Sequence, residues 1–268
     1  MEAAARLKSV AKSFQDSKMA AMTLRQLWKD ARAYLRGSGG MVRHRRTLER
    51  QGLAYRRDPE NPYHSQVGQD RFLAEQIFKG KHGGVFVDIG AYDGVHFSNT
   101  CYFERELGWT GLCVEPDPAV FARLLKSRTC KCENCCVADF TGKVKFNQFV
   151  GAEMFSGIAQ ESSVSEKQRR AAESKAMGGE LKELEVPCFT PADLFARHGL
   201  KRINYLSIDA EGMDFSILKA IDLKQFDIGY ISIENNHFAF DYQIMEYMDG
   251  RGYELAGVVG DEIYAKKG

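Results

Sequence analysis

Four acidic residues stand at or near the ends of short apolar runs, and their spacing is the first chemical signal in this chain. Val85-Phe86-Val87-Asp88-Ile89 runs into Gly90-Ala91-Tyr92-Asp93-Gly94, and Gly111-Leu112-Cys113-Val114 ends in Glu115. Later, Ile203–Ile208 ends in Asp209-Ala210-Glu211-Gly212, and Ile228–Ile233 ends in Glu234-Asn235-Asn236-His237. Runs of this kind read as strands buried on both faces. The turn after Ile89 needs Gly90 and Gly94 where a side chain would clash or φ must be positive. Glu115 follows that turn at the spacing of roughly twenty residues from which a carboxylate can take both ribose hydroxyls of a nucleoside.

The turn is not a dinucleotide fingerprint. That fingerprint uses three glycines to seat a pyrophosphate on a helix N-terminus. Here Asp88 takes the first glycine position and Asp93 lies inside the loop. Two carboxylates repel a pyrophosphate but suit a ligand carrying an ammonium and a sulfonium, as S-adenosylmethionine does. The plainer alternative is a buried strand with a polar turn and no ligand, and the spacing to Glu115 weighs against it. Asp139-Phe140, after a third run at Cys132–Ala138, could meet an adenine amino group and ring face. Asp209 and Glu234 with a neighbouring amide form a hard oxygen set suited to Mg²⁺, which could hold a substrate hydroxyl. Alternatively Asp209, Glu211 or His237 serves as general base. The competing reading of these residues is an uncommitted set of surface acids.

The elements that must position these groups follow a β-α rhythm. A helix is expected after Gly94 (Phe97, Cys101, Phe103), another around Phe121-Leu124-Leu125, and another from Thr190-Pro191, with Thr190 as N-cap. Lys143–Phe149 and Glu185–Phe189 read as extended. Residues 151–186 interrupt the rhythm, and their charged stretch 162–177 reads equally as a mobile lid or a solvated insertion. Residues 63–79 read as a polar loop entering a short helix; from physics alone a surface loop is favoured over a segment folded across the ligand. Gly260-Asp261 reads as a hairpin turn, so that the sheet has seven strands with the last antiparallel.

Composition sets the frame. The chain has 268 residues, 44% hydrophobic and 27% charged, as expected for a soluble globular protein. It has no run apolar enough to span a bilayer and no signal-peptide apolar region. Seven cysteines without a secretory signal point to reduced thiols and a cytoplasmic setting. The Cys130, Cys132, Cys135, Cys136 run lacks the two separated pairs of a zinc site, so soft core residues are the favoured role.

Net charge is +1, yet residues 1–60 carry 14 Lys and Arg against 6 Asp and Glu. Within them Leu24, Leu27, Trp28, Ala31 and Leu35 share one helical face and Arg25, Lys29, Arg32 and Arg36 another. This basic helical extension could meet an anionic membrane surface or a partner protein; nucleic acid is a less favoured partner. Docking on its own domain is the favoured reading. Residues 61–268 form the second, chemical unit.

The ordered set Ser65-Gln66-Val67-Gly68-Gln69-Asp70, Val87–Gly94, Phe97-Ser98-Asn99-Thr100, Gly108-Trp109-Thr110-Gly111, Val114-Glu115-Pro116 and Leu206–Gly212 resembles the FkbM family of S-adenosylmethionine-dependent methyltransferases. The resemblance covers roughly residues 63–266, and the ordered set is far more specific than any single motif. It implies an α/β fold of the class I methyltransferase (Rossmann-like) kind, a seven-stranded, mostly parallel sheet with an antiparallel last strand. It also implies O-methylation of a sugar, glycan or natural-product hydroxyl, the acceptor being a small molecule or glycan. Asp88, Gly90 and Gly94 would then line the methionine part of the cofactor, Glu115 the ribose and Asp139 the adenine, with Gln66 and Gln69 reaching in from the preceding loop. The acids after the fourth and fifth strands also resemble the Mg²⁺ ligands of catechol O-methyltransferase-type enzymes. Two rival functions remain at this level: methylation of a nucleic acid or protein nitrogen tethered by the basic N-terminus, and a non-catalytic cofactor-binding module.

Overall fold

A computed structural model describes residues 61–151, 153, 156–158, 180–210, 212–235 and 243–268. The basic extension 1–60, the charged stretch 162–177, Glu211 and His237 lie outside the described residues.

The chain folds as an α/β protein on a mixed seven-stranded sheet. Its strands are β1 (Val85–Ile89), β2 (Thr110–Val114), β3 (Lys131–Glu133), β8 (Arg202–Ile208), β9 (Asp227–Ile233), β10 (Tyr253–Val259) and β11 (Asp261–Lys266). The order across the sheet is β10-β11-β9-β8-β1-β2-β3. Strands β3, β2, β1, β8 and β9 pair in parallel, while β11 is antiparallel to both β9 and β10. Both faces are covered, which is why the strands read as nearly unbroken apolar runs.

Alternation sorts the side chains between two cores. Val87, Ile89, Leu206, Ile208 and Ile231 pack on one face with Leu194, Ile217 and Met248 from the helices Pro191–Arg197, Asp214–Ala220 and Gln243–Asp249. Phe86, Cys113, Tyr205 and Ile263 pack on the other with Leu73, Phe103, Trp109 and Leu124. Each such fully buried Leu, Ile or Phe contributes roughly 1.5–3 kcal/mol. Capping fixes where two helices start: Asp117 accepts from Ala119 N and Val120 N ahead of Pro118–Ser127, and Thr190 accepts from Asp193 N. Both helices carry proline at their first position, as their sequences lead one to expect.

The structure corrects four sequence expectations. The third run does not form one strand: β3 stops at Glu133, and Cys136–Val137 (β4) joins a different sheet. Asn134 explains the break, because its side-chain amide donates to the carbonyls of Glu115 and Pro116 at 2.8 and 3.0 Å and turns the chain away. The second sheet, ordered β4-β7-β5-β6, includes β5 (Gly142–Val150), β6 (Gly157–Ile158) and β7 (Glu180–Phe189). It was not foreseen, since β5 and β7 pair across a long intervening stretch that leaves no hairpin signal. Residues 63–79 are no surface loop: Ser65, Asp70, Leu73 and Ala74 are buried. Their short helix Gln69–Phe72 continues as a π turn over Leu73–Ile77, and Phe72 and Val67 lie against Gly257 and Gly260 of the last hairpin. Finally, the helix after Gly94 begins only at Cys101, leaving Phe97 outside it at φ 60° with an exposed ring.

Candidate active site

A cleft with a cavity volume of ≈ 200 Å³ opens at the carboxyl ends of β1, β2 and β8. Asp88, Gly90, Glu115 and Asp209 all line it, as does Gln66 from the preceding segment. Open α/β sheets bind their ligands at this edge.

Gly90 is required twice over. Its φ is +87°, and a Cβ there would lie 1.7 Å from the Asp209 carbonyl oxygen. The close approach joins the strand ends: Gly90 N and Ala91 N donate to Val114 O, and Asp209 N donates to Ile89 O, each at 3.0 Å. Gly94 does not line the cleft. A Cβ on it would meet Arg128 Cγ and Leu124 Cδ1 at 2.6 Å, so its role is to let the loop pack.

Asp88 is 3% exposed and accepts a 2.6 Å hydrogen bond from the Thr100 hydroxyl. Thr100 Oγ1 in turn accepts from Arg128 Nη2 at 3.0 Å, while Arg128 Nε pairs with Glu104 at 2.6 Å. Burial raises the Asp88 pKa above the ordinary carboxylate value, and the Thr100 hydroxyl and Arg128 charge oppose that rise. Glu115 is held by the backbone: Tyr92 N donates to one carboxylate oxygen at 3.0 Å and Asp117 N to the other at 2.8 Å. Burial, reinforced by the neighbouring Asp117 carboxylate, pushes Glu115 up to about 8 despite these donors.

Across the cleft Asp209 follows β8, next to a group that sequence reading missed. Asp214, the first residue of its helix, ties down the loop before it, accepting from Ala210 N at 2.7 Å and Gly212 N at 2.9 Å. Oxygens of Asp209, Asp214 and Glu234 lie within 4.8 Å of one another. This trio replaces the expected acid–acid–amide set, because Asn235 turns its amide to Glu262 at 2.9 Å. Both Asp214 oxygens are engaged with N–H donors, so the trio offers a divalent cation fewer lone pairs than its three carboxylates imply.

Besides Gly94, two more predicted cofactor residues stand elsewhere. Gln69 is buried but turns away, donating to Asp261 at 3.2 Å. Asp139 is exposed and outside the cleft lining, since the third strand ends before it. The second sheet fills that side instead: Phe146 and Ile158 present an apolar wall with Cys136 and Val137. The four-cysteine run is divided, with Cys135 in the main core and Cys136 in the small sheet's core, and all seven cysteines are free thiols.

Other lining residues were quoted in the motifs without a role at the site. Asn99 donates to Ser207 Oγ at 3.0 Å, while its buried Oδ1 has no hydrogen-bond partner. Tyr92 and Phe97 line the cleft with φ near 51° and 60°, backbone strain of the kind that gathers at functional loops. The paired aromatics in the turn, Tyr92 and Phe97, were the available signal.

The lining holds four carboxylates (Asp88, Glu115, Glu153, Asp209) and no Lys or Arg among the described residues. That charge fits a cationic ligand and disfavours a pyrophosphate. Together with mixed, mostly parallel strands and flanking helices, it is compatible with a methyltransferase. The family model described as Methyltransferase FkbM domain matches residues 88–255, and the chain belongs to that family. No curated protein matches the chain.

Proposed function

We propose that this chain is an S-adenosylmethionine-dependent O-methyltransferase of the class I arrangement, acting on a hydroxyl of a sugar, glycan or natural product. The observation that carries the reading is the acidic cleft at the strand ends, with Glu115 fixed by two backbone amides beside the Gly90 turn. When bound, the cofactor supplies an electrophilic methyl group on a sulfonium. The residues present fit it: a bound positive charge favours the ionised forms of Asp88 and Glu115, Glu115 retains lone pairs for ribose hydroxyls, and the unpartnered Asn99 Oδ1 adds an acceptor. Phe146 and Ile158 give a ring face its apolar wall, the part the sequence reading gave to Asp139 and Phe140.

An alcohol is a poor nucleophile until its proton is removed or held. Asp209 is the exposed acid of the cleft and takes that proton. The walls supply the rest by holding the acceptor oxygen in line. A Mg²⁺-assisted route is the second reading, favoured only by the Asp209–Asp214–Glu234 proximity. Full turnover after EDTA treatment removes it.

Calorimetry on the folded chain tests the cofactor: S-adenosylmethionine and its demethylated product bind, and NAD does not. Binding of NAD with no heat from the adenosyl compounds overturns the reading. Incubation with labelled S-adenosylmethionine and a panel of glycans, lipids and RNA then finds the acceptor. Label on RNA alone shifts the assignment to nucleic-acid methylation, and cofactor binding without transfer to any acceptor supports a binding module.

A further inference from the structure

At the mouth of the cleft Phe97 breaks two rules at once. Its ring is 46% exposed, and among the described residues it is the only exposed large apolar side chain in the lining. Its φ of 60° is a conformation that residues with a Cβ rarely adopt. The backbone is held before, after and alongside it. Before it, Val95 N and His96 N donate to Asp93 Oδ1 at 3.0 and 2.8 Å. After it, Ser98 Oγ accepts from Cys101 N at 3.1 Å and from the buried Arg128 guanidinium at 3.2 Å. Alongside it, Phe97 bridges in parallel to Ser65, whose buried hydroxyl donates to Asp70 at 2.5 Å. Strained backbone held this firmly, with an apolar ring left in water, points to a surface prepared for a ligand.

The ties of this loop run to the Asp209 half of the cleft. Asn99, two residues on, donates to Ser207 of β8, the strand that Asp209 follows. The segment containing Ser65 packs on the last hairpin, Val67 against Gly260 and Gln69 against Asp261. In the sheet, β8 and β11 stand on one side of β1, and β2, which leads to Glu115, stands on the other. Phe146 and Ile158, the wall offered to adenine, belong to the second sheet, which the chain enters beyond β2 and β3.

We infer that Phe97 is the platform on which the methyl acceptor lies, and that the acceptor is a pyranose. The inference rests on the proposed function and narrows its acceptor. An open aromatic face beside polar side chains suits an amphipathic ring. The C–H bonds on one side of the sugar cover the phenyl face, and the hydroxyls around its edge reach polar groups or water. Gln66 and His96, both exposed, supply that polar rim. A planar phenol is apolar on both faces, and a single open ring would leave one of them wet. Because the loop is already fixed, the ring acts through acceptor affinity and orientation.

The experiment uses the full-length chain, the methyl glycosides of glucose, galactose, mannose and rhamnose, and catechol as the planar probe. Saturation-transfer NMR with the demethylated cofactor present reads acceptor binding, and calorimetry reads the cofactor. In wild type, saturation should pass most strongly to the C–H protons on one face of a glycoside. Phe97→Gly should weaken glycoside binding at least about tenfold, seen in turnover as a raised KM, with cofactor affinity within about twofold of wild type. Glycine adopts a positive φ freely, so the urea midpoint of that variant should hold or rise, where a structural role for the ring would lower it. Phe97→Tyr should keep glycoside binding. No heat from the demethylated cofactor removes the proposed function and this inference together. With that heat present, no glycoside signal from wild type, unchanged binding in Phe97→Gly, a lowered urea midpoint, or a preference for catechol overturns the inference alone.

Discussion

The two halves of the sheet's carboxyl edge use one residue type in opposite ways. In the β1–β2 half, Asp88 and Glu115 are enclosed, 3% and 7% exposed, and each is held by donors from the surrounding structure. In the β8–β9 half, Asp209 is exposed and Glu234 half-buried, and only Asp214 is enclosed, held by amides of the loop before its helix. Enclosed acids with pKa values raised by burial set the shape of a pocket and gain charge when a cation enters it. An accessible acid can exchange a proton with whatever enters. On the proposed function, the difference divides recognition from chemistry along a single edge, and the Gly90–Asp209 backbone contact joins the two.

The largest expected effect tests that division directly. Asp209→Asn keeps the size of the side chain but removes the proton acceptor. Methyl transfer to the acceptor found in the panel should fall by roughly 10²–10⁴. Affinity for the demethylated cofactor, read by calorimetry, should stay within about twofold, since a carboxamide at an exposed site disturbs little. A matching loss of cofactor affinity would place Asp209 in the recognition half and break the comparison.

Next in size is the seam. Gly90→Ala puts a methyl group into the Asp209 carbonyl at a positive φ, and neither neighbour is a flexible side-chain end. Stability should drop by roughly 3–5 kcal/mol, read as a lowered urea midpoint with the slope unchanged. Gly94→Ala should do less, because its obstacles are the side chains of Leu124, Ser127 and Arg128, which can shift. Equal losses at both positions would mean that loop packing, not the joining of the two halves, sets the cost.

Much of this edge was legible in the sequence, for a physical reason. Strands buried on both faces announce themselves as apolar runs, and the residues at their ends inherit a position from the strand. Asp88, Glu115 and Asp209 were therefore placeable from local pattern alone. Asp139 failed because its strand does not reach it: the Asn134 amide redirects the chain by bonding two carbonyls that pattern cannot show. The second sheet was hidden for a related reason, since β7 pairs with both β4 and β5 over a distance no local signal spans. Gln69, read as reaching toward the cofactor, instead donates to Asp261, 192 residues away, a partnership that local pattern cannot show. Arg128, whose guanidinium serves Glu104, Ser98, Thr100 and the Gly94 carbonyl together, went unread, because all of these partners lie more than twenty residues before it.

The smallest effect sharpens the comparison through pH. Glu115 has an ordinary carboxyl pKa near 4.5 when unfolded and about 8 in the folded chain. Between those values the native state holds a proton that the unfolded state has released. Stability therefore falls as pH rises through that window, by at most about 1.4 kcal/mol per pH unit for one group. Glu115→Gln removes the titration, so the slope of denaturation free energy against pH should flatten between pH 5 and about 8. Asp261, pushed up to about 7 by burial, titrates in the same window and retains its share in both proteins. The difference between wild type and variant thus isolates Glu115. Ribose hydroxyls would favour its charged form, so cofactor binding at neutral pH should release a proton, measured as a dependence of binding enthalpy on buffer ionisation. The variant should show no such release. If it does, the proton comes from the β8–β9 half, and the acids there sense the ligand as directly as Glu115 does.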